Sequence, residues 1–144
     1  MSEERLFIPG LRPVYSGLAG LVETLMRAFC GLALMIHGVP KLMNPLGATE
    51  MVASIGFVPA SLWSVLLAIV EPLSGLLLLV GFLTRPAAFA ATILLLVTVY
   101  FHWVVLDQGY MGSEKSLLWA SVTLFFVIHG GRYLSVDRAM GRAF

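Results

Sequence analysis

Apolar positions along this chain gather into four long stretches separated by short polar breaks. A membrane-spanning helix takes about 20 apolar residues, so each stretch reads as a transmembrane span. The first runs from about Gly17 to Gly38 and is expected to stop at Pro40, whose ring cannot continue a helix. The second runs from Ser61, an expected N-cap, to Phe82 and carries Glu71-Pro72 near its middle. Its link to the third is only Leu83-Thr84-Arg85, which forces antiparallel neighbours. The third, Pro86 to Val104, is free of charge, and the fourth, Ser116 to Ile128, is short unless Glu114 and His129 belong to it. Both are expected to. Between Asp107 and Lys115 the polar residues with Gly109 and Gly112 read as a loop.

Between the first two spans the pattern changes. Asn44-Pro45 opens a turn, and Met51, Val52 and Ile55 mark one face of a short amphipathic stretch that ends at Gly56-Phe57-Val58-Pro59. It reads as an interfacial helix or re-entrant segment. The predicted fold is an all-α integral membrane protein, a four-transmembrane-helix bundle with a short interfacial helix between spans one and two. Its parts are an N-terminal segment over 1–16, a transmembrane domain over 17–131 and a C-terminal tail over 132–144. The N-terminal segment is polar, holds Pro9 and Pro13, and lacks the basic-then-apolar order of a cleavable signal, so it is expected to be retained.

Composition agrees: 59% of the 144 residues are hydrophobic and 12% are charged, about half the charge of a soluble domain, with a mean hydropathy of +0.93. A net charge of +1 without a basic run disfavours nucleic acid as a partner. Cys30 stands alone in an apolar run, which excludes an intrachain disulfide or a C-x-x-C motif and suits a small packed hydrophobe. Lys and Arg are retained on the cytoplasmic side of short connections. One side collects Arg5, Arg12, Arg85, Arg132, Arg138 and Arg142, the other only Lys41 and Lys115. Both termini are therefore expected to be cytoplasmic in a multi-pass protein of a bacterial-type inner membrane.

Ionisable residues inside the spans are the candidates for chemistry, since a lone charge there costs at least about 2.5 kcal/mol. With His37 taken as the outer end of span one, Arg27 and Glu71 both come out roughly 15 Å deep, which predicts an Arg27–Glu71 ion pair. Glu23, four residues before Arg27, is the competing partner. Glu23, Arg27, His37 and Lys41 fall on one face of span one, and Thr92, Thr98 and His102 on one face of span three. His37, Lys41, His102 and Glu114 thus meet at the outer level. Each has a bland reading beside the functional one. Arg27 and Glu71 can fix helix register, and the histidines can hydrogen-bond to loop backbone. Glu114 and His129 can complement the dipole of span four. Tyr100, Trp103, Tyr110 and Trp119 read as an interfacial belt. Gly17, Gly20, Gly31, Gly38, Gly75 and Gly81 read as points of close helix approach. No metal set, H-E-x-x-H, phosphate loop, dinucleotide fingerprint or nucleophile elbow is present, so redox work would need a bound cofactor or a partner.

The series Arg27, His37-Gly38-x-x-Lys41, Gly56-Phe57-x-Pro59, Glu71 with Gly75 and Gly81, Arg85, His102, Gly112-x-Glu114 and Gly131-Arg132-Tyr133-Leu134-Ser135-Val136-Asp137 resembles the DoxX family of small four-helix membrane proteins. The closing segment departs from the family's more usual Tyr-Ser-Leu-Asp by its Leu134 and Val136. The resemblance implies a membrane subunit of an oxidoreductase complex, as in thiosulfate:quinone oxidoreductase and in complexes handling thiol and oxidative stress. With no cysteine pair for thiol exchange, the expected role is quinone binding or anchoring of a catalytic partner, with haem and copper disfavoured. The site would be bounded by Arg27, His37, Lys41, Glu71, His102 and Glu114, with Lys41 or His37 on a quinone carbonyl and Glu71 or Glu114 relaying a proton. The alternative is a structural or assembly subunit of a larger membrane complex whose polar residues only hold the bundle together. A small-solute or proton carrier is disfavoured, since four helices without a repeat rarely alternate access.

Overall fold

The computed structural model describes residues 7–142, so Arg5 and the outermost residues of both terminal segments lie outside it. A 3-10 turn, Pro9–Leu11, leads into α1 (Arg12–Met43); then follow α2 (Thr49–Ser54), α3 (Ala60–Val80), α4 (Thr84–Tyr100), a π turn (Phe101–Val105), α5 (Gly109–His129) and α6 (Val136–Ala139). There is no strand among the described residues. Four segments are long and apolar enough to cross a membrane: α1, α3, α4 continued through the π turn, and α5. The short α2 occupies the place expected for the amphipathic stretch and buries Val52.

Helix ends differ from expectation. Pro40 does not stop α1, which continues to Met43. A proline forfeits the bond to the carbonyl four residues back, and in the last turn that is one bond among groups already near the helix end. α1 also starts at Arg12, with Pro13 in its first turn where a missing N–H costs nothing. α3 starts at Ala60 after an extended Pro59 with no side-chain cap, so Ser61 lies inside the first turn rather than capping it. The expected loop before the fourth span shrinks, because α5 begins at Gly109 and takes in both Glu114 and His129.

α1 packs most extensively on α3, and α4 on α5. The first pairing depends on two glycines facing each other. A Cβ added to Gly31 would lie 2.5 Å from the Gly75 carbonyl oxygen, and one added to Gly75 would lie 2.7 Å from that of Gly31. Gly38 is pressed in the same way on Pro72, whereas Gly17 approaches nothing. In lipid there is no hydrophobic drive between helices, so backbone proximity and packing of small residues hold them together. The core follows that rule. Ala87, Ala88 and Ala91 of α4 meet Ala120 and Phe126 of α5, with Cys30, Leu34 and Leu78 completing the cluster. Inside the α4–α5 seam the Thr92 hydroxyl donates to Thr123 Oγ1 at 2.8 Å. Larger side chains such as Leu62, Leu66, Ile69, Phe89, Ile93 and Leu96 are exposed, where lipid covers them.

Candidate functional site

α1, α3, α4 and α5 leave between them, toward the Lys41 end, a cavity of about 340 Å³. α1 contributes His37 and Lys41, one turn apart; α3 contributes Glu71; α4 and its π turn contribute Thr98 and His102; α5 contributes Gly112, Lys115, Ser116 and Trp119. Leu34, Leu94 and Leu95 supply apolar wall. Glu71 lies eleven residues into α3, roughly 16 Å from its start, and is 4% exposed. A carboxylate that deep needs a counter-charge. Lys41 provides it, donating from Nζ to Glu71 Oε2 while its own stem stays partly exposed at the C-terminal end of α1. A second crevice, of about 470 Å³, opens beyond the pair and shares His37 and Lys41 with the cavity. Asn44, Pro45, Ser64 and Ala68 line it, with Ser64 Oγ donating to the Pro45 carbonyl at 2.7 Å.

His102 owes its place to the end of α4. The helix widens there into a π turn, a distortion that is frequent at functional sites. Its Nδ1 is 2.9 Å from Gln108 Oε1. The Gln108 side chain crosses the space over Gly112, where an added Cβ would lie 2.5 Å from Oε1. That position therefore admits no side chain without displacing Gln108. With Nδ1 engaged by Gln108, Nε2 is the histidine nitrogen left for a ligand.

Of the six residues expected at one site, the structure brings together His37, Lys41, Glu71 and His102. Glu114 is exposed on α5 and does not line the cavity; nor is it in the first turn, so it caps no dipole. Arg27 does not pair with Glu71. Because α1 continues past Pro40, its C-terminal end lies further along than His37, and the Arg27 side chain reaches the Leu79 carbonyl at the far end of α3, about 12 Å of helix from Glu71. Arg27 is 2% exposed, and its bonds go to carbonyls: Nη1 to Leu78 at 2.6 Å and Leu79 at 3.3 Å, Nη2 to Leu134 at 2.8 Å. The last carbonyls of a helix lack intrahelical donors and carry its negative end, so a cation is suited to them. Glu23 takes no hydrogen bond from Arg27, and its Oε1 is buried without a hydrogen-bond partner among the described residues.

Arg27 belongs instead to a clasp at the opposite end of the bundle from Lys41. The segment after α5 folds back so that buried Asp137 accepts from Leu83 N at 2.8 Å, Thr84 N at 2.9 Å and Thr84 Oγ1 at 2.6 Å. Its own N–H donates to the Gly81 carbonyl at 2.9 Å. One residue thus ends α3 and starts α4, holding Leu83 at φ 47.

Sequence reasoning missed Lys115, Thr98 and Trp119 as cavity residues, and Gln108 and Asp137 as positioning ones. Lys115 and Trp119 are four apart on one face of α5, a spacing already present in the expected fourth span. Trp119 is thus cavity wall, whereas Trp103 and Tyr110 stack edge to face at 6.1 Å on the exposed rim. Among the described residues no group of three or more His, Cys, Asp or Glu side chains is placed to hold a metal ion.

Comparison with curated proteins found no match, and comparison with solved structures found none. The family model for DoxX matches residues 22–103, from the middle of α1 through His102, leaving α5 and the clasp segment outside it. That span is more than half of the 144 residues and contains Arg27, His37, Lys41, Glu71 and His102, so the chain belongs to the DoxX family of membrane proteins.

Proposed function

We propose that this protein is the membrane subunit of a quinone-linked redox complex, and that the cavity around the Lys41–Glu71 pair receives a quinone head. The observation that supports this reading most is the cavity's make-up. An intramembrane ion pair, which in a merely structural role would be packed shut, borders about 340 Å³ of space alongside two histidines and a tryptophan. That volume falls within the roughly 300 to 1,000 Å³ usual for small-molecule sites. Quinone carbonyl oxygens accept hydrogen bonds, and the wall offers donors in Lys41, Lys115, Thr98 and Ser116. Reduction of a quinone to the quinol takes up two electrons and two protons. Glu71 and His102 are the groups placed to pass protons, and the electrons come from a partner subunit, since the chain's one cysteine is buried and unpaired. On this reading both termini face the cytoplasm of a bacterial-type inner membrane, because Arg12, Arg85, Arg132, Arg138 and Arg142 gather at the clasp end. The Lys41–Lys115 end then faces outward.

A purely structural role has its own support in the clasp, where Arg27 and Asp137 are engaged wholly with backbone and Thr84. Titration separates the two readings. Quinone-depleted protein with Trp63→Phe and Trp103→Phe leaves Trp119 as reporter, and a tail-less dimethoxy-methyl-benzoquinone is the probe. Saturable quenching weakened about tenfold by Glu71→Gln, in protein of normal abundance, is the expected result. Linear quenching, or saturation indifferent to Glu71→Gln, would leave the structural role standing.

A further inference from the structure

We infer that the ligand of the cavity is a membrane-borne molecule with a long apolar tail, and that its tail leaves the bundle between α3 and α4 beneath α2. The inference rests on the reading of the cavity as a quinone-head site and adds the class of quinone and its way in.

A second hollow, of about 430 Å³, lies on the lipid-facing side of α3 and α4. All twelve of its lining residues are apolar. Met51 and Val52 of α2 and Ile55 just after it roof the groove, Phe57 and Trp63 pack at 4.9 Å on its rim, and Ala90, Ile93, Leu94 and Val97 of α4 form its floor. Leu94 lines both this groove and the polar cavity, so one side chain stands between them. Leu67 likewise lines both the groove and the outer crevice that contains His37 and Lys41. The groove thus abuts the polar spaces at two points, a single leucine side chain thick at each, and its depth within the spans puts it in contact with acyl chains rather than water.

The groove's place one leucine away from the cavity favours a tail over a second protein copy or a resident lipid. Lipid is as apolar as leucine, so a groove in the bilayer gains no hydrophobic free energy by being filled. What it does provide is room. A head carried by a long chain reaches Lys41 and Glu71 only if the chain has an exit that crosses no polar group. The groove is that exit, with Leu94 as its partition. α2 then has a function beyond linking α1 to α3, because its apolar face holds the groove open under the headgroup layer.

Two probes with one head test the inference: the tail-less dimethoxy-methyl-benzoquinone, and the same ring with a decyl chain ending in a diazirine. Ala90→Phe fills the groove without touching the cavity lining. It should weaken the tailed probe about tenfold, the scale of an overpacked site, and leave the tail-less probe unchanged. In the unsubstituted protein, irradiation should place the diazirine on Met51, Trp63 or Ile93. Equal effects on both probes, no effect on either, or labels on the α1 or α5 lipid face would overturn the tail route while leaving the head site intact. If the tail-less probe fails to saturate, or ignores Glu71→Gln, the head site fails and the tail route falls with it. The crosslink keeps the inference exposed to failure even if Ala90→Phe does not fold.

Discussion

Asp137 gathers three donors from the α3–α4 turn into one buried carboxylate, so few single residues hold as much of the bundle's geometry. Removing it leaves Thr84 N and Thr84 Oγ1 buried without their acceptor and uncaps α4. Asp137→Ala should therefore cost about 2 to 4 kcal/mol, read as a lower midpoint of thermal aggregation in detergent. Asp137→Asn keeps an acceptor and should cost less. An Asp137→Ala protein as stable as the parent would show that the clasp is incidental. At the other end of the bundle Gln108 acts through another residue. Gln108→Leu should preserve the fold yet weaken quinone binding about threefold to tenfold, because His102 loses the partner that fixes its ring; Gln108→Glu, which can still accept from Nδ1, should restore most of it. The same loss in both variants would assign Gln108 to the helix start rather than to His102. Charge alone does not separate the roles of Arg27 and Glu71 in the sequence, since each is an ion within an apolar run. Only the register of α1 against α3 reveals that one closes a helix end and the other borders a cavity.

At the scale of elements, the α1–α3 contact depends on the absence of side chains at Gly31 and Gly75. Gly31→Leu should abolish folded protein, because the clash is with backbone and neither helix can yield without losing its other contacts. Recovery of normal amounts of folded Gly31→Leu protein would mean that α1 and α3 are not packed this closely. The α4–α5 seam should be more forgiving. Thr92→Val removes one interhelical hydrogen bond of the kind worth about 0.6 kcal/mol in membranes, so its stability should fall by no more than about 1.7 kcal/mol. The existence of these elements was legible in the apolar stretches, α4 most of all, because lipid selects length and hydropathy directly. Their ends were not. Pro40 and the glycines near Gly109 are stop signals in water, but in a membrane bundle neighbouring helices supply the contacts that let a helix run through them. The misread end of α1 then displaced Arg27 toward Glu71 and produced the wrong ion pair.

For the whole molecule, the arginines at the clasp end and the cavity at the opposite end make the bundle asymmetric across the bilayer. On a Cys30→Ala background, a cysteine at Asn44 or Met111, both exposed, should react with a membrane-impermeant maleimide from outside intact cells, and one at Arg132 only after permeabilisation. The opposite pattern would invert the topology and place the cavity toward the cytoplasm. Four of the six residues expected from the sequence line the cavity, and they were legible because intramembrane ionisable groups are rare enough to stand out singly; Trp119 and Lys115 have ordinary places at a membrane interface, and Thr98, though on the face of His102, carries no charge to single it out. Quinone affinity in the charge-exchanged protein, Lys41→Glu with Glu71→Lys, separates a Lys41–Glu71 pair that borders a ligand site, as proposed, from one that merely joins two helices. The exchange keeps the attraction between α1 and α3, so abundance and thermal stability should recover relative to either single change, while saturable quenching of Trp119 should be lost because donor and proton carrier have traded places. A folded, charge-exchanged protein that binds the quinone as tightly as the parent would show that the pair does not border the ligand site.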